Sequence, residues 1–379
     1  MAAKKINYKV KSMNGLLMCT NDCNLRCKYC FEECIHREKM KSIQEIREEF
    51  SSFLENDFDK FIFELVEINK SLKRRKTNIC FHGGEQLLVG TDLLEKGFSM
   101  VKKYDSTEIS IQTNATLIND EMIELFKKYD VHIGISIDGP KEMNDKYRVN
   151  ANGKGSYDVI VRNLKKMKEE KLLVGALATV TKETIKDPEG FYNFFRDNKI
   201  NFSFNPLFLI ENQEADCDGL SMNEFADFYC KMFDIWIESE DDLSLNCFDR
   251  ILSSMGIKEE PYMEVCTYIP DCSMTTVAIN TKGDFFRCLH YALNNSNCIG
   301  NIHTDSLFKA LGDERFKNRS CKLKTGVCAN CDIYEYCYGG CPFVAESTHG
   351  TIYAKDNTCA AQRKIVHYIK EYLMRYKKQ

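Results

Sequence analysis

The sequence predicts an α/β fold, a partial barrel of six parallel strands followed by a small cysteine-rich domain. Three observations carry this. Short apolar runs alternate with amphipathic helical stretches from residue 14 to about 210. Each strand-plus-helix unit has the length of a parallel βαβ crossover. From Cys266 onward the helical periodicity stops and cysteines become dense.

The predicted strands are Gly15–Cys19, Asn78–His82, Glu108–Gln112, His132–Ile137, Leu172–Val180 and Phe202–Phe208. Helices are expected around 43–70, 92–104, 119–129, 156–170 and 189–198. Six such units in series curve into a partial barrel, whose chemistry belongs at the C-terminal strand ends. Phe225, Phe228, Tyr229, Met232, Phe233 and Trp236 then recur at helical spacing, as on a core-facing helix. The acidic run Glu238–Asp242 is expected to be an exposed connection. Thr275–Ile279 and Phe285–Arg287 flank a turn containing Gly283, as in a β-hairpin. Ile365, Ile369 and Leu373 mark a C-terminal helix. The expected division is a barrel over 12–237, a bridge over 238–265, a cysteine-rich domain over 266–360 and a helix over 361–379.

At 379 residues and 44% hydrophobic, the chain can bury a large core. A net charge of -4 leaves no electrostatic footprint for nucleic acid or an anionic membrane. There is no signal peptide and no membrane-length apolar run, so a cytoplasmic protein is expected. Nineteen cysteines in a reducing compartment favour metal over disulfides.

Just past the first strand, Cys23, Cys27 and Cys30 follow a C-x3-C-x2-C spacing. A cube of four irons takes one thiolate per iron, so three thiols leave one iron open to a small molecule. A zinc knuckle completed by Cys34 or His36 is the structural alternative. With Tyr29 before the last cysteine, the motif resembles that of the radical S-adenosylmethionine enzymes, the SAM bound through the open iron. Gly83-Gly84-Glu85-Gln86 resembles that family's Gly-Gly-Glu-Pro, with Gln86 in place of proline. The resemblance implies close backbone approach to the methionine at Gly83 and Gly84, and a Glu85 carboxylate on its ammonium. Tyr29 would stack on a cofactor ring. Gln112 and Asn114 of Gln-Thr-Asn, Ser136 and Asp138 of Ser-x-Asp-Gly-Pro, and Thr179 would hold the cofactor or flank the substrate. Arg148 would pair with the cofactor carboxylate or form a structural ion pair; Asn144 stands where that pattern carries histidine.

Cys272-x10-Gly283-x4-Cys288 and Cys328-x2-Cys331-x5-Cys337-x3-Cys341, with Cys266 before and Cys359 after, resemble a SPASM domain. The resemblance implies two closed auxiliary [4Fe-4S] clusters, on Cys266, Cys272, Cys288 and Cys341 and on Cys328, Cys331, Cys337 and Cys359. Zinc ribbons are the structural alternative. Cys19, Cys80 and Cys230 suit buried packing, and Cys34, Cys217, Cys247, Cys298 and Cys321 are not assigned as ligands.

Three [4Fe-4S] clusters with SAM imply an oxidoreductase acting on a peptide or protein and fed by a low-potential donor such as flavodoxin or ferredoxin. The first expectation is a maturase that installs a thioether or carbon–carbon cross-link in a ribosomally made peptide. The alternative is an anaerobic sulfatase-maturating enzyme, which makes formylglycine from Cys or Ser. Such enzymes place an aspartate base after the third SPASM cysteine, where this chain has Leu289 and then His290, the candidate base. A non-catalytic iron–sulfur electron carrier is the alternative of another class.

Overall fold

The computed structural model describes residues 12–30, 40–74, 76–207, 219–257, 272–312 and 314–376. Six strands run in chain order: β1 Asn14–Met18, β2 Thr77–His82, β3 Thr107–Thr113, β4 Val131–Ser136, β5 Val174–Val180 and β6 Phe202–Pro206. All five pairings between consecutive strands are parallel. Helices α1 Ile43–Asn56, α2 Phe58–Ser71, α3 Thr91–Val101, α4 Asp120–Tyr129, α5 Lys141–Tyr147, α6 Tyr157–Glu169 and α7 Pro188–Asp197 fill the crossovers. The single helix expected over 43–70 is broken at Asp57, whose backbone leaves the helical region at φ -126°. Ser42 and Glu45 start α1 with a reciprocal capping box.

The strands alternate as a curved sheet requires. Ile79 and Phe81, Ile109 and Ile111, Ile133 and Ile135, and Ala176 and Ala178 pack into the large core shared with the helices. The other face carries Asn78, Ser110, Gln112 and Ser136, bonded across strands: Asn78 Nδ2 donates to Ser110 Oγ at 3.0 Å, and Gln112 Nε2 to Ser136 Oγ at 3.1 Å. The hollow side of the barrel is therefore polar.

The sheet does not end at β1. The expected hairpin forms as β7 Thr276–Asn280 and β8 Asp284–Phe286, and β9 Gly300–Asn301 extends it. Strand β7 pairs with β1 in parallel, Leu16 opposite Ala278, giving one nine-stranded sheet in the order β6-β5-β4-β3-β2-β1-β7-β8-β9. Val277, Ile279 and Phe285 enter the same core as the barrel helices.

Of the acidic run expected to be an exposed connection, Glu238, Glu240 and Asp242 are exposed, and the chain packs down after it. Helix α8 Met222–Glu238 is followed by α9 Asn246–Ser254, whose Phe248 is fully buried against Tyr229, Phe233 and Trp236. Asp241 accepts from the Tyr192 hydroxyl at 2.9 Å. Phe248 and the Tyr192–Asp241 bond hold this segment down, although its charges resemble a linker. The C-terminal helix Cys359–Tyr376 packs on α8 through Ile365 and Ile369. No described helix is long and apolar enough to cross a membrane.

Candidate active site

The loop after β1 carries Cys23, Cys27 and Cys30, and three neighbouring loops lash it down. Leu25 bridges to Asn150, Arg26 N donates to Val149 O at 2.6 Å, and Lys28 N to Tyr147 O at 2.9 Å. The loop after β2 docks from another side: Gly84 N donates to Thr20 O and Glu85 N to Asp22 O, both at 2.8 Å. A Cβ on Gly83 would stand 2.2 Å from Thr20 O, and one on Gly84 2.4 Å from Asp22 O. Both glycines are thus required by the backbone of the cysteine loop itself. From the end of β3, Asn114 Nδ2 donates to Asn24 Oδ1 at 2.9 Å and reaches Cys23 Sγ at 3.6 Å.

A cavity of about 270 Å³ opens beside the thiols. Cys23, Cys27, Cys30, Tyr29, Gly83, Gly84, Gln112, Asn114, Ser136 and Arg148 line it, together with Asn21, Asp22, Met40, His82 and Thr113. Most of the expected cofactor-binding residues therefore meet in one hollow. Three do not line it. Glu85 is fully buried, and its oxygens accept from Thr113 Oγ1 at 2.8 Å, Asn114 N at 2.8 Å and Leu87 N at 3.1 Å. It ties β2 to β3 as an internal brace. Burial outweighs these donors and pushes its pKa up to about 7.

Asp138, also fully buried, is the hub of a second brace. Its Oδ1 accepts from Thr179 N at 2.8 Å; its Oδ2 accepts from Tyr29 OH at 2.6 Å and lies 3.0 Å from Arg148 Nε. Asp138 is thus engaged within the protein, and Thr179 meets it through its backbone amide. Tyr29 is held by its hydroxyl, with the Arg148 guanidinium over its ring at 5.5 Å and Tyr147 at 5.9 Å on its other contacts. Arg148 forms an ion pair with Asp138 while its side chain edges the cavity. Asn144 serves where histidine was expected: its Oδ1 accepts from Asp138 N at 3.3 Å.

His82 was not singled out from the sequence, although period-2 alternation from Asn78 and Cys80 places it on the hollow side at the last position of β2. Its Nδ1 accepts from Gly83 N at 2.8 Å. Burial lowers its pKa to about 4, with a further push from nearby His290. The ring is neutral, its Nδ1 lone pair is engaged, and its proton sits on Nε2. His290 lies exposed on the short helix Leu289–Leu293, its ring stacked 5.0 Å from Phe343, and desolvation by the surrounding protein lowers its pKa.

The donor set fits an iron–sulfur cube at Cys23, Cys27 and Cys30. Burial, then Glu85 and the companion thiols, raise the Cys23 pKa, so a thiolate there calls for a cation beside it. Among the described residues no three His, Cys, Asp or Glu side chains close on a point as around a single ion; a cube spreads its irons over a volume. In the C-terminal region Cys328, Cys331, Cys337 and Cys359 form a second group. Burial raises Cys337 to about 11, and Cys331, Cys359 and Cys328 each add to the rise. Cys288 and Cys341 flank Tyr291 and pack in one apolar cluster. Cys272 opens the turn into β7, and Cys266 lies outside the described residues, as do Cys34 and Cys217. Cys298 and Cys321 are exposed.

Residues 17–195 match the model of the radical SAM superfamily. The chain is 33% identical over 351 residues to a cysteine-type anaerobic sulfatase-maturating enzyme of Clostridium novyi, covering 88% of each. It is 29% identical to a serine-type anaerobic sulfatase-maturating enzyme of Bacteroides thetaiotaomicron, covering 90% of this chain and 83% of that one. Its fold superposes on the solved structure of native anSMEcpe with bound AdoMet and Cp18Cys peptide with a TM-score of 0.78 at 22% identity, covering 96% and 99% of the two chains. A cysteine loop at the strand ends, a polar hollow beside it and similarity along nearly the whole length agree: the chain belongs to the radical SAM superfamily, among relatives of the anaerobic sulfatase maturases.

Proposed function

We propose that this enzyme oxidises the side chain of a Cys or Ser in a sulfatase-type peptide to formylglycine. The observation that carries the reading is the 33% identity to a cysteine-type maturase over 88% of both chains, with no large segment of either left over. When bound, the cluster and SAM supply a 5′-deoxyadenosyl radical that takes one hydrogen atom from the substrate. Removal of one further electron and one proton completes the two-electron oxidation; for cysteine, water then displaces sulfide.

The chain's own residues do the rest. Cys23, Cys27 and Cys30 hold the cluster, and Asn114 and the loop at 147–150 fix them in place. Gly83, Gly84, Gln112 and Ser136 form the cradle for SAM. His82 presents an Nε2–H donor into the hollow, suited to a carbonyl or thiol of the peptide. The SPASM-like cysteines of the expected 266–360 domain would hold two auxiliary [4Fe-4S] clusters, which would supply an acceptor for the second electron. A low-potential flavodoxin or ferredoxin resets the first cluster.

A second reading, cross-linking of a ribosomally made peptide, keeps one specific observation in its favour: Leu289 follows Cys288, where a sulfatase maturase would use an aspartate. The decisive experiment incubates the reconstituted enzyme with SAM, dithionite and a short sulfatase-type peptide carrying Cys or Ser. Mass spectrometry is expected to show an aldehyde that traps with a hydrazine. An unchanged peptide alongside released 5′-deoxyadenosine would turn the assignment to the cross-linking reading.

A further inference from the structure

The backbone ladder between β2 and β3 breaks off at the cavity, and two side chains complete it. In parallel pairing the rungs fall on alternate residues of a strand. Thr77 N donates to Ser106 O at 3.0 Å, and the register runs from Thr77 opposite Thr107 to Phe81 opposite Ile111. Continued by one step, it would join Gly83 N to Gln112 O and Asn114 N to Gly83 O. Both rungs are replaced. Gln112 O accepts from Gln86 Nε2, and Asn114 N donates to Glu85 Oε2 at 2.8 Å. The amide and the carboxylate of adjacent side chains thus stand in for the backbone of Gly83. That backbone is spent elsewhere: Gly83 N donates to His82 Nδ1 at 2.8 Å, and Gly84 N to Thr20 O at 2.8 Å.

Gln86 is an unusual residue for its place. It is fully buried, and its Oε1 has no hydrogen-bond partner among the described residues. An unmet buried oxygen costs stability, which an apolar side chain of the same size would avoid. Packing alone therefore does not account for a glutamine here; its donor does. Proline, which the resembling motif carries at this position, has no donor. The acceptor it serves belongs to a residue of the cavity wall. The Gln112 side chain donates to Ser136 Oγ at 3.1 Å and crosses Gly134, where a Cβ would stand 2.2 Å from Gln112 Oε1. We propose that Gln86 is a positioning residue: its amide takes the rung that Gly83 leaves, and so lets Gly83 N–H fix the His82 ring with Nε2–H toward the hollow. Without that donor, Gln112 O draws Gly83 N back into the ladder and the ring loses its anchor. The effect on turnover rests on the reading that His82 meets the peptide; the effect on the ring does not.

The test uses the full-length, metal-free chain carrying isotope-labelled histidine, observed by NMR at neutral pH. Of the seven histidines, the signals missing from His82→Gln are those of His82. The unsubstituted chain is expected to show one fixed tautomer, protonated at Nε2. Gln86→Met is expected to move the two ring-nitrogen signals toward each other, as in a ring that exchanges between tautomers. Gln86→Pro is expected to do the same, since proline suits the first position of the turn Gln86–Val89. Mixed tautomers in the unsubstituted chain, or unmoved signals in the variants, overturn the proposal. Loss of cooperative melting in both variants also overturns it, because Gln86 would then be purely structural; where one variant alone melts cooperatively, its spectrum decides. Peptide turnover by reconstituted Gln86→Met is expected to fall about threefold. Moved signals with unchanged turnover uphold the positioning and remove His82 from the peptide site. The spectra decide the role of Gln86 whatever product the enzyme proves to make.

Discussion

Gly83 has almost no room for change. With φ at +140° and a backbone oxygen 2.2 Å from where a Cβ would sit, Gly83→Ala must displace Thr20, three residues before Cys23. A cost of about 1–3 kcal/mol is expected, with a loss of SAM affinity measurable by calorimetry on the reconstituted protein. Glu85 gives a prediction in pH. Its pKa in the fold is about 7, above the ordinary 4.5, so the folded state keeps a proton that the unfolded state loses. Its contribution is therefore greatest below pH 4.5, declines as pH rises through 4.5 to 7, and is flat above. Urea melts of the apoprotein should show this slope, and Glu85→Gln should flatten it; identical slopes would mean the carboxyl ionises normally. His82 is tested by side-chain shape. Glutamine can accept from Gly83 N and still donate, whereas leucine can do neither. Peptide turnover in His82→Leu should fall about tenfold, the worth of one hydrogen bond, while His82→Gln stays within about threefold and SAM cleavage without peptide persists in both.

At the scale of the elements, the strand ends matter because two buried carboxylates fasten them together. Asp138 at the end of β4 holds Tyr29, Arg148 and Thr179, which belong to the cysteine loop, the end of α5 and β5. Arg148→Met leaves that buried charge with one cation fewer, and a loss of about 3–5 kcal/mol is expected. Asp138→Asn in the same chain should restore part of it, a coupling that a double-mutant cycle of melting measurements reads directly. Additive losses would show that the two residues act independently. Much of this layer was legible in the sequence. The cysteine spacing, the glycine pair and the polar residues at strand ends occur at periods that local pattern exposes. What each polar residue touches was not legible. Glu85 and Asp138 were expected to face a cofactor, and nothing in a one-dimensional pattern distinguishes a carboxylate that meets a ligand from one that meets the next strand. The burial of both depends on how closely the loops at 20–22 and 147–150 pack.

Across the whole molecule, the cysteine-rich region continues the sheet of the barrel. The hairpin itself was legible from its turn, but its partner was not, because Asn14 and Thr276 share no local signal. Joining them makes β1 a central strand, covered on both edges, with the first cysteine loop at its end. Val277→Asp, which places a charge in the common core, should cost about 3–5 kcal/mol and destabilise both regions in a single transition. Two separate melting steps, with the barrel step unmoved, would show that the regions fold apart.

The same pairing dictates a schedule. Strand β1 is made long before β7, and its β7 edge stays open until the chain has been made through Thr276. Closing so distant a contact is slow. For most of synthesis the loop bearing Cys23, Cys27 and Cys30 hangs from a half-paired strand. That interval offers iron and sulfide a way in, and it is also when an unpaired strand edge is exposed to other chains. Growth conditions that slow elongation and supply iron early should therefore raise the yield of fully loaded enzyme.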